Sequence, residues 1–211
     1  MNSIAYNRIR SFGLITFCLL ASVGAVAQKA SYPEITQLQS PQKPRIGFMI
    51  QLAVKDALNA EREKTMRAAL EKMTIAASRS LGRGMSADAV ARLAVRSADL
   101  LPGQSGFGVI VLDTKGKLLT APANRLGTFS DPMCSATAVG TTALASDVCT
   151  DVTRHAVTVQ SAIDSQLAKT KDSSAAIIVM DKFGYMSLSK RPAGVYRAYI
   201  GGDGKVVVEG Q

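Results

Sequence analysis

The chain has 211 residues, of which 47% are apolar and only 5% aromatic, and it carries a formal net charge of +9. Its basic residues are scattered among acidic ones, as in Glu61-Arg62-Glu63-Lys64, and it contains no tryptophan. A nucleic-acid-binding surface needs a basic stripe or aromatic side chains on which bases can stack. The composition therefore argues against nucleic acid as a partner.

The N-terminus has the three parts of a secretory signal peptide. Arg8 and Arg10 form a basic start, residues 12–23 are mostly apolar, and Ala25-Val26-Ala27 offers small side chains to a signal peptidase. We therefore predict that residues 1–27 are a cleaved signal peptide and that the mature protein is secreted or periplasmic. The apolar stretch is shorter than the ~20 residues of a membrane-spanning helix, and no membrane span is expected after cleavage.

Two cysteines remain in the mature chain, Cys134 and Cys149, because Cys18 leaves with the signal peptide. In an oxidising compartment two cysteines are expected to form one disulfide, which would be worth roughly 3 kcal/mol for a loop of this size. A zinc site is the alternative, but His155 is the only histidine and no CxxC spacing is present. We therefore expect no metal and no other cofactor.

The rest of the chain is predicted to form an extended arm followed by one domain. Residues 28–45 are rich in Pro, Gln and Ser, which predicts an extended arm or linker. Residues 46–211 are long enough for a single domain with an apolar core. Within that domain, apolar spacing predicts a helix from Phe48 to about Arg79 and a second helix from a Ser86 cap to about Leu100.

Two predicted β-hairpins share the same turn sequence. In the first, Asp113 and Gly116 stand in the turn between strands 108–112 and 117–121; in the second, Asp181 and Gly184 take the same positions between strands 176–180 and 185–189. Each Asp is expected to serve the backbone of its turn rather than to form a carboxylate pair.

A helix from about Ala143 to Lys169 precedes the second hairpin, and a third hairpin joins residues 195–200 to 206–208. Helices in runs and strands in hairpins predict an α+β domain, layered from helices and a largely antiparallel sheet. The domain is expected to consist of two helix-hairpin halves.

Three segments of the chain resemble the threonine-type asparaginases and isoaspartyl peptidases. In residues 177–209 an apolar strand ends in Asp-x-x-Gly, and Gly194-Val195-Tyr196-Arg197 stands where that family has Gly-hydrophobic-aromatic-Arg. Residues 125–137 resemble the family's Arg-x-Gly-Asp and Cys/Ser-Ala-Thr-Gly segments, and residues 84–90 resemble a helix start near its N-terminus. The resemblance implies an αββα N-terminal-nucleophile hydrolase sandwich. It also implies hydrolysis of a side-chain amide or isoaspartyl bond by a threonine that self-cleavage frees.

The position of the family's nucleophilic threonine is occupied by Gly106. The nearest hydroxyl candidates are Ser105, one residue earlier, and Thr120 on the return strand. For the substrate, the resemblance points to Arg125, Asp131 and Arg197.

Three hypotheses follow from the sequence. The first is a shortened amidohydrolase, and the second is a non-catalytic binding or interaction protein of the same fold that takes a small amino-acid or peptide ligand. The third is an unrelated accessory module of the cell envelope.

Overall fold

The structure is a computed structural model that describes residues 36–37, 47–101, 103–121, 126–140, 142–170, 174–189, 193–201 and 203–210. The predicted signal peptide, most of the predicted arm and Arg125 lie outside these residues. No helix in the described part is long and apolar enough to cross a membrane.

The described residues form four helices and ten strands. The helices are α1 (Ala60–Gly82), α2 (Ala87–Ala98), α3 (Thr142–Arg154) and α4 (Val159–Lys169). The strands are β1 (Thr36–Gln37), β2 (Gly47–Val54), β3 (Gln104–Leu112), β4 (Leu118–Ala121), β5 (Gly127–Asp131), β6 (Cys134–Val139), β7 (Ala176–Asp181), β8 (Tyr185–Leu188), β9 (Val195–Ile200) and β10 (Val206–Gly210).

These strands build two five-stranded sheets in which every described pairing is antiparallel. Sheet A has the order β1-β8-β7-β6-β5, and sheet B has the order β10-β9-β2-β3-β4. The three predicted hairpins are present as β3–β4, β7–β8 and β9–β10. The predicted α+β class with antiparallel pairing is therefore confirmed.

Three apolar clusters join these elements in layers. The first packs α1 and α2 against sheet B through side chains such as Leu70, Val90 and Phe48. The second packs α3 and α4 against sheet A. The third lies between the sheets, where Ile110 of sheet B and Met180 of sheet A belong to the same cluster. The layer order is therefore helices, sheet B, sheet A, helices.

The start of the first predicted helix is a strand instead. β2 runs through the centre of sheet B, and α1 begins only after Asn59, whose side chain accepts a hydrogen bond from the Arg62 backbone N–H at 2.9 Å. Residues 47–52 of β2 are all buried. A short, mostly apolar segment fits a buried helix and a buried strand equally well, and the helix prediction for this segment was wrong.

The helix predicted from Ala143 to Lys169 is two helices. α3 ends at Arg154, and Ala156 has a φ of 51°, a value that an α-helix does not accommodate. Thr158 then caps α4, since its Oγ1 accepts a hydrogen bond from the Ser161 N–H at 3.2 Å.

The predicted backbone role of the two turn aspartates is confirmed. Asp113 Oδ1 accepts hydrogen bonds from the N–H groups of Lys115 and Lys117, each at 2.9 Å. Asp181 Oδ1 accepts hydrogen bonds from the N–H groups of Phe183 and Tyr185, at 2.8 and 2.9 Å. The two hairpins therefore use the same side-chain-to-backbone closure.

The two ends of the sheets differ in their connections. The hairpins β3–β4, β5–β6, β7–β8 and β9–β10 all turn at one end, which we call the turn end. The opposite end, which we call the loop end, receives the connections between strands and helices and the segments between β4 and β5 and between β8 and β9. Functional residues gather in such connecting segments more often than in tight turns.

Candidate functional site

A buried arginine connects the two sheets near the loop end. Arg197 on β9 is only 1% exposed, and its Nε donates a hydrogen bond to Gln51 Oε1 at 3.1 Å. Its Nη1 donates to the Ser189 carbonyl oxygen at 2.7 Å, and its Nη2 lies 3.3 Å from Ser189 Oγ. Gln51 belongs to sheet B, whereas Ser189 follows the last residue of β8 in sheet A. We call Gln51, Ser189 and Arg197 the arginine cluster.

Gln51 adds a second bridge across the same gap. Its Nε2 donates to the carbonyl oxygen of Ala176, the first residue of β7 in sheet A, at 3.4 Å. The side chains of the arginine cluster therefore fix how the two sheets meet near the loop end. Because Arg197 is buried, a ligand could contact it only from within the space between the sheets, not from the protein surface.

Beside this cluster, five hydroxyl side chains face the space between the sheets. Side chains alternate between the two faces of a strand, and Leu119, Phe129 and Ala136 point towards the helices. Their neighbours therefore point into the gap. We call these five residues the hydroxyl strip: Thr120 on β4, Thr128 and Ser130 on β5, and Ser135 and Thr137 on β6.

Hydrogen bonds connect three members of the hydroxyl strip, which lie on β4, β5 and β6. Thr128 pairs in register with Thr137, and Ser130 with Ser135, and the hydroxyl oxygens of the two serines lie 3.0 Å apart. Ser130 Oγ also accepts a hydrogen bond from the Thr120 N–H at 3.3 Å. Thr120 belongs to sheet B and Ser130 to sheet A, so the bond between them joins the edge strands β4 and β5.

Within the hydroxyl strip, Thr137 is fully buried and its hydroxyl lacks a hydrogen-bond partner among the described residues. Its side chain is 0% exposed, and among the buried side-chain atoms of the described residues its Oγ1 is the one without a hydrogen-bond partner. The hydroxyl faces Gly108 of sheet B so closely that a Cβ at Gly108 would lie 2.0 Å from it. Gly108 pairs with Gln51, so the strip and the arginine cluster are neighbours.

The two candidate nucleophiles are both hydrogen-bonded to the backbone. Ser105 Oγ donates to the Ala53 carbonyl oxygen at 3.1 Å, where the register shifts and Ser105 becomes the extra residue of a bulge. Thr120 Oγ1 donates to the Phe129 carbonyl oxygen at 3.3 Å. Between them in the sequence, Gly106 pairs with Ala53 and has no side chain to react.

The three residues named for the substrate are not brought together by the described part of the chain. Arg197 lies near the loop end, whereas Asp131 lies at the turn end, where its Oδ1 accepts a hydrogen bond from the Met133 N–H at 2.7 Å. Asp131 therefore closes its own turn. Gln51 was not identified from the sequence, because a single polar residue within an apolar strand carries no motif. Ser135 and Thr137 belong to the segment that resembles the family's Cys/Ser-Ala-Thr-Gly motif, but they were not named as site residues.

The predicted pairing of Cys134 and Cys149 is confirmed. Their sulfur atoms lie at bonding distance, 2.07 Å, with the Cα atoms 5.5 Å apart, and the bond connects β6 to α3. His155 follows the end of α3 and is exposed, with its Nδ1 3.1 Å from Asp151 Oδ1. Among the described residues, no three His, Cys, Asp or Glu side chains are grouped as metal ligands would be.

A surface cleft of about 220 Å³ lies between the start of α3 and the end of α4. Its charged lining consists of Asp147 and Lys169, which are both exposed. None of the residues predicted for catalysis or substrate binding borders it.

The chain matches no protein-family model, and no curated protein matches it. The likeness to threonine-type asparaginases therefore rests on the sequence motifs alone.

Proposed function

We propose that the mature chain is an exported, non-catalytic relative of the threonine-type asparaginases that binds a small ligand of amino-acid or peptide size. The observation that carries this proposal is the hydrogen bonding of the two candidate nucleophiles, Ser105 and Thr120. A nucleophile must give its proton to a base as it attacks. The Ser105 and Thr120 hydroxyls instead donate to main-chain carbonyls, and Gly106 offers no hydroxyl.

The polar groups between the two sheets support binding. Small-molecule sites usually combine an apolar setting with a few converging polar groups. Here the arginine cluster and the hydroxyl strip adjoin an inter-sheet core that is otherwise apolar. A ligand carboxylate suits a site of this kind, because hydroxyl groups and guanidinium N–H groups are hydrogen-bond donors. Arg125, named by the family resemblance, would be a further donor to that carboxylate.

Export is supported by the cysteine pair as well as by the signal-like N-terminus. A disulfide persists in oxidising compartments and is rare in the cytosol, and Cys134 and Cys149 lie at bonding distance. We therefore assign the mature protein to the periplasm or the extracellular space.

Hydrolysis of a side-chain amide or isoaspartyl bond is the second candidate function. It is favoured by the layer order of helices, two antiparallel sheets and helices, which agrees with the fold that the resemblance implies.

Ammonia release and ligand-induced stabilisation separate the two functions. The purified mature protein should release no ammonia from L-asparagine and no aspartate from isoaspartyl dipeptides. It should nevertheless gain thermal stability with at least one small carboxylate, because a ligand that binds only the folded state raises the melting temperature. Turnover of either substrate would contradict the proposal, and so would an unchanged melting temperature with every carboxylate tested.

A further inference from the structure

We propose that the groove between α1 and α2 is a docking site for an acidic, amphipathic segment of a partner protein. The partner inserts one aliphatic side chain into the groove and places its carboxylates against the basic residues on either side. The groove belongs to the helical layer outside sheet B, whereas the arginine cluster lies between the sheets. It is therefore a second surface, and this inference goes beyond the proposed function.

The first step is the size of the groove. Its volume is about 70 Å³, and we call it the helix groove after its lining from both helices, which includes Met73, Ala76, Ser80, Val90, Leu93 and Ser97. Small-molecule pockets usually measure about 300 Å³ or more, so this groove suits a single side chain. Leu93 is apolar yet 48% exposed, and a partner that covers it removes apolar surface from water.

The second step is the charge around the helix groove. Four exposed basic residues each stand one position before a lining residue, and on a helix this places them about 100° further round the axis: Lys72, Arg79, Arg92 and Arg96. Glu71 stands two positions before Met73 and therefore lies on the opposite side of α1. Asp99 stands two positions after Ser97, on the opposite side of α2. Folding thus gathers positive charge beside the apolar groove.

The third step is that these four charges are not neutralised within the described part of the chain. None of the ion pairs found there includes them, and Asp88, one turn before Arg92, is paired with Lys117. Arg79 and Arg96 lie in the last turns of their helices, where a cation also stabilises the helix end. Lys72 and Arg92 stand before those turns, so helix stabilisation does not account for them.

The fourth step is the choice of partner. A second copy of this helix pair would bring like charges together, which is unfavourable, and residues 28–45 also contain more basic than acidic residues. Neither α1 nor α2 has an aromatic side chain on which a base could stack. A bilayer is contacted by apolar side chains that protrude, whereas this groove is recessed between charged ones. An acidic protein segment matches both the charge and the shape.

Titration of the full mature protein with a labelled peptide, followed by fluorescence polarisation, tests the site. The probe is a synthetic amphipathic helix with leucine on one face and glutamate on the others. A matched peptide has lysine in place of every glutamate. The acidic peptide should bind at least about tenfold more tightly than the basic one, and added salt should weaken its binding.

Two variants locate the binding. Ala76→Leu fills the helix groove from an exposed position without changing the charge, and Arg96→Glu reverses one charge beside it. Each should weaken binding of the acidic peptide at least about tenfold. The matched controls Ala68→Leu and Lys64→Glu change exposed residues of α1 outside the groove, and they should bind the peptide as the wild-type protein does.

The proposal is overturned if the two peptides bind equally, if neither binds, or if A76L binds the acidic peptide as tightly as A68L. Binding only to vesicles of phosphatidylcholine and phosphatidylglycerol, or only to a DNA duplex, would overturn it in favour of a lipid or a nucleic acid. Should A76L fail to fold, R96E against K64E still decides. Carboxylates that fail to raise the melting temperature would contradict the proposed function alone.

Discussion

At the scale of single residues, Gly108 and Thr137 determine how closely the two sheets approach beside the arginine cluster. Gly108 lies on β3 and Thr137 on β6, and an added Cβ at Gly108 would lie 2.0 Å from Thr137 Oγ1 and 2.8 Å from its Cβ. Real side chains do not approach so closely. The glycine is therefore required by the opposite sheet, not by the backbone of its own strand.

We predict that Gly108→Ala destabilises the protein by about 1–3 kcal/mol, because overpacking forces buried neighbours apart. Urea denaturation of both proteins measures the difference. Gly82→Ala is the matched control: nothing lies within 4 Å of a Cβ at Gly82. Because Gly82 ends α1, the control should be neutral or more stable by up to about 1 kcal/mol. A neutral G108A variant would show that the sheets are not in contact at this point.

At the scale of secondary-structure elements, α2 was predicted well from the sequence, whereas β5 and β6 were not predicted. α2 was predicted from its Ser86 cap and its apolar spacing, and the cap is present, with Ser86 Oγ accepting from the Ala89 N–H at 3.4 Å. β5 and β6 were not predicted, because the apolar residues that alternate with the hydroxyls of the strip form only a weak hydrophobic signal. Their side chains on the helix-facing side are small, apart from Phe129.

The site was predicted less well than the fold, because its polar residues act through pairings between strands that are distant in the chain. Arg197 was singled out from a motif, but its partner Gln51 lies 146 residues earlier within an apolar strand. Thr137 belongs to a motif as well, yet its missing hydrogen-bond partner becomes apparent only when Gly108 is placed opposite it.

The stability of the junction between α3 and α4 should depend on pH, because it depends on the ionisation of the Asp151 carboxyl. Its Oδ2 accepts a hydrogen bond from Gln166 Nε2 at 2.7 Å, and its Oδ1 lies 3.1 Å from His155 Nδ1. The hydrogen bond from Gln166, with a smaller one from His155 and the nearby charge of Lys169, holds the pKa of the Asp151 carboxyl below its ordinary value. Asp151 therefore stabilises the junction while it is ionised.

Because this pKa is lowered in the folded state, the stabilisation is fully present above pH ~4 and is lost as the pH falls through the folded pKa. We expect Asp151→Asn to cost about 1 kcal/mol at pH 6. The difference from wild type should shrink as the pH is lowered below pH ~4, measured by urea denaturation across that range. A difference that stays constant down to pH ~2 would contradict this role of the carboxylate.

At the scale of the whole molecule, two antiparallel sheets are enclosed by helices, and the space between the sheets is apolar in one cluster and polar at the arginine cluster and along the edge formed by β4 and β5. We propose binding rather than catalysis because Gly106 has no side chain and because Ser105 and Thr120 donate hydrogen bonds to backbone carbonyls.

The intact mass of the exported protein tests that distinction most directly. If the predicted signal peptide is removed, we predict a single species that begins at Gln28, runs without a further break, and is lighter by two hydrogens because of the Cys134–Cys149 bond. Two fragments that separate ahead of Ser105 or Thr120 would show that the chain processes itself as the hydrolase family does, and would contradict the non-catalytic assignment.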